Sequence, residues 1–202
     1  MMTSVKSLRE LAEQLFPGEV HLVSELVPVK LFSPDYHDNL FFVERSGDST
    51  IMLLSGVHHD ELEAPQLTLK YLSDCETSRG FIVYPILNHG FAVDCPFISS
   101  KLERNFFDDS PATSLDSRLF MDFLRVKNDF DLFIDVHEHE LEQGLVYASK
   151  RLKLPGVNVS IKPLINDSVD YVSRVYGKPS YTVELPLTGK TAFLKRVLDY
   201  FF

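Results

Sequence analysis

The sequence predicts a layered α/β fold on three observations: short apolar runs of strand length, amphipathic stretches of helical period between them, and turn-forming residues at their junctions. The first element is a helix from Ser4 to Phe16, because Leu8, Leu11, Ala12 and Leu15 recur on one face and Pro17-Gly18 stops it. Strands are predicted at Val20 to Phe32, Leu40 to Glu44 and Thr50 to Leu54, which are rich in Val, Leu, Ile and Phe and separated by Pro34, Asn39 and Ser46-Gly47. Glu61 to Leu72 reads as a helix and Gly80 to Leu87 as a buried, β-branched strand. Leu115, Leu119, Phe120, Phe123 and Leu124 give Ser114 to Lys127 a helical period, and Asp131 to Val136 is a further short buried strand. Val169 to Tyr176 is predicted helical, Ser180 to Leu185 extended, and Thr191 to Phe202 a closing helix. In sheets of this kind functional residues collect on loops beyond the carboxyl ends of strands.

With 202 residues, 45% of them hydrophobic, the chain is long enough to bury one sizeable core. It has no repeat, low-complexity run or Gly/Ser linker, so a single domain over residues 1–202 is expected. The 29 acidic residues outnumber the 20 basic ones and leave a formal charge of −9. That balance argues against nucleic acid as a partner, since neutralising phosphates needs a basic face. Cys75 and Cys95 are too few for a disulfide scaffold and form no CxxC pair; two buried thiols are expected. The N-terminal stretch MMTSVKSLRELAEQLF has charges at helical spacing and no long apolar run, so neither a signal peptide nor a membrane span is expected, and a cytoplasmic protein is. His21 and His37 read as ordinary, partly buried imidazoles. The oligomeric state is not fixed by the sequence.

Three polar clusters follow apolar strands. The first, Ser55-Gly56-Val57-His58-His59-Asp60-Glu61, comes after Ile51-Met52-Leu53-Leu54. A helix starting here would place His58 and Glu61, three residues apart, on one side of a turn, where an imidazole nitrogen and a carboxylate oxygen converge on one ion. Gly56 allows the sharp turn beforehand. The second cluster, Asp135-Val136-His137-Glu138-His139-Glu140, ends the strand Leu132-Phe133-Ile134. Strand alternation sends His137 and His139 to one face and Glu138 and Glu140 to the other. His58, Glu61 and His137, with His139 as a rival to His137, make up two imidazoles and a carboxylate, the donor set of a catalytic rather than a structural zinc. Water at such an ion becomes acidic enough to attack at neutral pH. Asp135 is placed to brace a ligand, and His59 either faces away from the metal or lines the cleft. The third cluster, Tyr181-Thr182-Val183-Glu184-Leu185-Pro186, sets one carboxylate in an apolar strand end, which is costly unless that group has a partner or a raised pKa. Glu184 is the candidate to take a proton from the attacking water and deliver it to a leaving amine. Neither HExxH nor HxxEH is present, because Leu141 lies four after His137 and Leu62 follows Glu61.

Taken in order, these clusters resemble the zinc carboxypeptidases and their relatives, the succinylglutamate desuccinylases and aspartoacylases, over roughly residues 50 to 186. Gly56-Val57-His58-His59-Asp60-Glu61 is similar to that family's G-x-H-x-x-E, Ile134-Asp135-Val136-His137 to the strand bearing its third ligand, and Tyr181 to Pro186 to the segment bearing its general base. The resemblance implies a three-layer α/β/α fold with a mixed, about eight-stranded sheet. It also implies one Zn2+ ion held by His58, Glu61 and His137, with Glu184 as general base. Tyr84-Pro85-Ile86-Leu87-Asn88-His89-Gly90-Phe91 resembles P-x-x-N-P-D-G-F, with His89 replacing Pro-Asp, and brings Asn88 among the substrate-binding candidates. Leu102-Glu103-Arg104-Asn105-Phe106 is similar to L-N-R-N-F, whose Asn-Arg pair holds the substrate carboxylate. Arg104 is retained, either in that role or as a surface partner of Glu103 or Asp108. Glu103 replaces Asn and either neutralises Arg104 or prefers a substrate amino group. No arginine lies between Asn88 and Glu103 to polarise the scissile carbonyl, so Lys101 or Arg104 is the candidate for stabilising the oxyanion. Tyr171 and Tyr176 fall in the region of the family's mobile tyrosine.

The function so implied is a metallocarboxypeptidase that cleaves an amide bond in a peptide or murein-type peptide. The short chain and compressed spacing between clusters bring the desuccinylase branch nearer, so the first alternative is an N-acyl amino-acid deacylase. The Glu103 replacement and the missing arginine admit a second, a catalytically degenerate relative that binds a peptide or modified amino acid.

Overall fold

The computed structural model describes residues 5–27, 40–58, 61, 63–85, 115–138, 142–161 and 167–202. Apolar side chains at consecutive positions need a strand covered on both faces. Such runs lie at the middle of the sheet, where β3 (Thr50–Ser55), β4 (Gly80–Tyr84), β5 (Leu132–Glu138) and β8 (Ser180–Leu185) run parallel. Shorter strands extend it on both sides. β1 (Val20–Leu22) and β2 (Phe41–Arg45) add antiparallel beyond β4; β6 (Leu145–Ala148) adds antiparallel to β8, and β7 (Asn158–Ser160) parallel to β6. The result is the expected mixed sheet of eight strands, in the order β1-β2-β4-β3-β5-β8-β6-β7.

Five helices are seen among the described residues: α1 (Val5–Leu15), α2 (Glu63–Asp74), α3 (Leu115–Val126), α4 (Ser168–Tyr176) and α5 (Lys190–Leu198). Leu8 and Leu11 of α1, Leu69 and Leu72 of α2, and Leu194 and Val197 of α5 pack with Ile51, Leu53, Ile134 and Val183 on one face of the sheet. Leu119, Phe120 and Phe123 of α3 and Val169 and Val172 of α4 pack with Met52, Leu54 and Phe133 on the other. Strand alternation assigns each set to its face, and burying each such side chain stabilises the fold by roughly 1.5–3 kcal/mol. None of the described helices is long and apolar enough to cross a membrane.

Several boundaries differ from the sequence reading. The predicted strand from Val20 to Phe32 is three residues long before a 3-10 turn at Val23–Glu25, where Leu26 N–H returns to the Val23 carbonyl; residues 28–32 lie outside the described chain. The helix predicted from Glu61 begins at Glu63, and Pro65 sits in its first turn, where a missing N–H is tolerated. The closing helix ends at Leu198, and a turn then buries Phe201 against Tyr181, their ring centroids 4.9 Å apart. β6 and β7 were not predicted; each is too short to show a period. Cys75 is half-buried rather than buried, with its Sγ 3.7 Å from the Tyr71 hydroxyl, and Cys95 lies outside the described residues.

From β3 the chain moves to β4 on one side, and it later enters β5 on the other side of β3. α2, which leaves β3, and α3, which leads to β5, therefore lie on opposite faces. The chain therefore reverses its direction across the sheet between β3 and β5, and the carboxyl ends of strands at such a point are where sheets of this type bind ligands.

Candidate metal centre

Both histidine-bearing segments lie at those carboxyl ends. After β3 the backbone turns at Gly56, whose φ of +63° lies in the left-handed region, and passes through buried Val57 to His58. His58 and Glu61 then meet: the Glu61 N–H donates to the His58 carbonyl at 3.3 Å, and the His58 N–H to Glu61 Oε2 at 3.4 Å. The expected i,i+3 convergence is met two residues before α2 starts. Glu61 Oε1 lies 2.5 Å from His58 Nδ1 and 3.3 Å from His137 Nδ1. The two imidazole centroids are 5.1 Å apart.

His137 is buried near the end of β5, on the α3 and α4 side of the sheet. Asp135, two residues earlier and so on the same face, has Oδ2 3.1 Å from His137 Nε2. Ser168, the first residue of α4, donates its hydroxyl to that same oxygen. Asp135 thus stands against one ring nitrogen of His137, and Glu61 Oε1 against the other. Among the described residues Asp135 Oδ1 has no hydrogen-bond partner.

Charge follows this geometry. Burial alone raises the pKa of Glu61, but the charge and hydrogen bond of His137, and those of His58, overcome it and lower the pKa to about 2. Burial lowers the pKa of His137, yet Asp135 and Glu61 hold it well above the ordinary imidazole value. Behind Asp135, Asp167 caps α4 by accepting the Asp170 N–H at 2.6 Å. Its pKa is raised to about 7, chiefly by burial and also by the nearby charge of Asp135.

His58, Glu61 and His137 present one ligand atom each, all within 4.8 Å of one another. Two imidazole nitrogens and a carboxylate oxygen converging at this range fit a divalent zinc ion, whose bonds to such atoms are about 2.0–2.2 Å. Glu184 is the register partner of His137 across the parallel pair β5 and β8, so their Cα atoms are one strand spacing, about 4.8 Å, apart and their side chains share a face. It is 8% exposed.

Arg104, Glu103, Asn88 and Lys101 lie outside the described residues, as do His59 and His139. Tyr171 and Tyr176 both lie on α4, their ring centroids 6.1 Å apart. Tyr171 is buried in the apolar core of the α4 face, and Tyr176, the last residue of α4, packs its ring 6.2 Å from Phe130. The sequence reading missed Ser168 and Asp167. The pair Asp167-Ser168 just before an amphipathic run is a helix-start signal that would have drawn attention to them.

No protein-family model and no curated protein sequence matches the chain. In three dimensions it is similar to a candidate metallopeptidase from Shewanella amazonensis SB2B, with 14% identity, coverage of 98% of this chain and 90% of that one, and a TM-score of 0.70. It is also similar to a metallo-carboxypeptidase from Burkholderia cenocepacia, with 14% identity, 97% and 68% coverage and a TM-score of 0.67. An aspartoacylase family protein from Mesorhizobium loti aligns at 16% identity over 79% of this chain and 60% of its own, with a TM-score of 0.60. At these identities the likeness establishes the fold: the chain has the mixed-sheet α/β architecture of the metallopeptidase and aspartoacylase structures, the architecture its sequence motifs imply.

Proposed function

We propose that the protein is a zinc-dependent amide hydrolase of metallocarboxypeptidase type, with His58, Glu61 and His137 as metal ligands and Glu184 as general base. The observation that carries this reading is the convergence of the three ligand atoms at the carboxyl ends of β3 and β5, with Glu184 in register beside His137. A zinc ion bound there supplies a Lewis acid that acidifies water and polarises a carbonyl. The chain's own residues do the rest. Glu184 takes a proton from the attacking water and returns it to the departing nitrogen. Asp135 orients His137 through Nε2. Arg104 holds the substrate carboxylate, Lys101 or Arg104 meets the developing oxyanion, and Glu103 and Asn88 line the substrate site in this reading. The substrate is a peptide or murein-type peptide, and the catalytic unit is one domain over residues 1–202.

A second reading, an N-acyl amino-acid deacylase, is favoured by the likeness to an aspartoacylase family protein. Assays on peptides and on N-acyl amino acids separate the two. Metal analysis tests what they share: one zinc per chain is expected, lost on substitution of His137, with Glu184→Gln keeping zinc and losing turnover. Zinc binding without hydrolysis of either substrate class would instead support a peptide-binding relative, and wild-type turnover by Glu184→Gln would remove Glu184 from its role.

A further inference from the structure

We infer that Glu138 is a positioning residue for the metal centre: its carboxylate ties the start of α2 to the end of β5 and thereby sets the separation of the Glu61 and His137 side chains. The inference rests on the reading of these residues as metal ligands. Helix starts are ordinarily capped by a polar side chain just before them, but the residue before α2 is Leu62, which carries no acceptor in its side chain. The acceptor comes instead from β5. Glu138 Oε1 accepts the Glu63 N–H at 2.7 Å and the Ala64 N–H at 3.0 Å. A carboxylate at this place also meets the positive end of the helix.

Its other oxygen is held as well. Lys190, the first residue of α5, donates to Glu138 Oε2 and, at 2.8 Å, to Glu63 Oε2. Burial opposes the Lys190 charge, but these two carboxylates outweigh it and raise its pKa. The starts of α2 and α5 are therefore fastened to one side chain at the end of β5.

The consequence for the metal lies in the spacing along the chain. Glu63 is two residues after the ligand Glu61, and Glu138 is one residue after the ligand His137. Alternation at the end of β5 sets His137 on the α3 and α4 face and Glu138 on the α2 face, so adjacent residues grip the ion site and the segment that brings its other ligands. With Glu61 Oε1 only 3.3 Å from His137 Nδ1, a shift of α2 along or away from β5 moves the carboxylate out of range of a shared ion.

The test uses the full chain and the variants Glu138→Gln, Glu138→Ala and Lys190→Met, the last leaving the helix cap in place. Zinc affinity is measured by competition with a chromogenic chelator, and hydrogen exchange at the Glu61 amide is followed in zinc-free protein. Both Glu138 variants are expected to bind zinc roughly 10–100-fold more weakly, with faster exchange at Glu61, and Lys190→Met to change in the same direction by less. A Glu138 that served only as a helix cap would lower thermal stability while leaving zinc affinity within about twofold of wild type, and that result overturns the inference. If the wild-type chain takes up no zinc, the metal reading fails, and the exchange measurement alone decides: an unchanged rate at Glu61 in Glu138→Gln removes the clamp. Should Glu138→Ala fail to fold, Glu138→Gln and Lys190→Met give the same two readouts.

Discussion

His137 divides its two ring nitrogens between two carboxylates, Nε2 facing Asp135 at 3.1 Å and Nδ1 facing Glu61 at 3.3 Å. A metal ligand needs this division, since the bond at one nitrogen fixes both the tautomer and the direction of the other lone pair. Asp135→Asn is accordingly expected to weaken zinc binding roughly 10–100-fold while the protein still folds, as read by equilibrium dialysis beside circular dichroism. The same surroundings set a pH dependence. The His137 pKa is raised, so zinc bound at the proposed centre would compete with a proton for the ring. Zinc affinity is expected to climb with pH until it passes the pKa of His137, with proton release on binding, measured by titration calorimetry in buffers of different ionisation heat. Affinity that falls on going from pH 6 to pH 8 would contradict the assignment.

At the scale of the elements, the turn after β3 and the start of α4 carry the most testable demands. Gly56 holds φ at +63°, where an added Cβ is strained, so Gly56→Ala is expected to lower stability by about 1–2 kcal/mol and to weaken zinc binding by misplacing His58 and Glu61. Chemical denaturation with and without zinc distinguishes the two effects. Asp167 caps α4 but is buried beside Asp135, and its pKa is raised from 3.8 to about 7. A carboxyl whose folded pKa is raised contributes stability that is complete below about pH 3.8 and is lost as pH rises through about 7. Asparagine keeps the cap without the charge. Asp167→Asn is therefore expected to be more stable than wild type at pH 8, by an amount on the order of 3 to 4 kcal/mol in zinc-free protein, and no more stable near pH 3.5. Parallel denaturation curves for the two proteins across this range would refute the account.

Across the whole molecule, the proposed ligands come from segments far apart in the chain: Glu61 and His137 are separated by 76 residues and meet only because β3 and β5 are neighbours in the sheet. An unfolded chain holds no such site, so zinc bound at the proposed centre would stabilise the folded state. Free zinc at 100 times its dissociation constant is expected to add about 2.7 kcal/mol, seen as a rise in melting temperature that a chelator reverses. His137→Ala is expected to lose that rise. A melting temperature that ignores zinc in the wild-type chain would count against the metal centre itself.

The sequence by itself determined the alternation of strands and helices, the order of the three polar clusters and the identity of His58, Glu61, His137 and Glu184 as the residues to examine, because hydrophobic period and local spacing are written in neighbouring residues. It also placed Asp135 beside His137, since two residues along a strand return to the same face. It did not show that α2 starts only at Glu63, that Ser168 and Asp167 stand behind Asp135, or that Glu138 and Lys190 fasten the starts of two helices. Those relations join residues dozens of positions apart, and only the sheet order, which puts β5 between β3 and β8, brings them within hydrogen-bonding distance. Local preference selects the elements; the packing of one apolar face against another decides which of their polar ends meet.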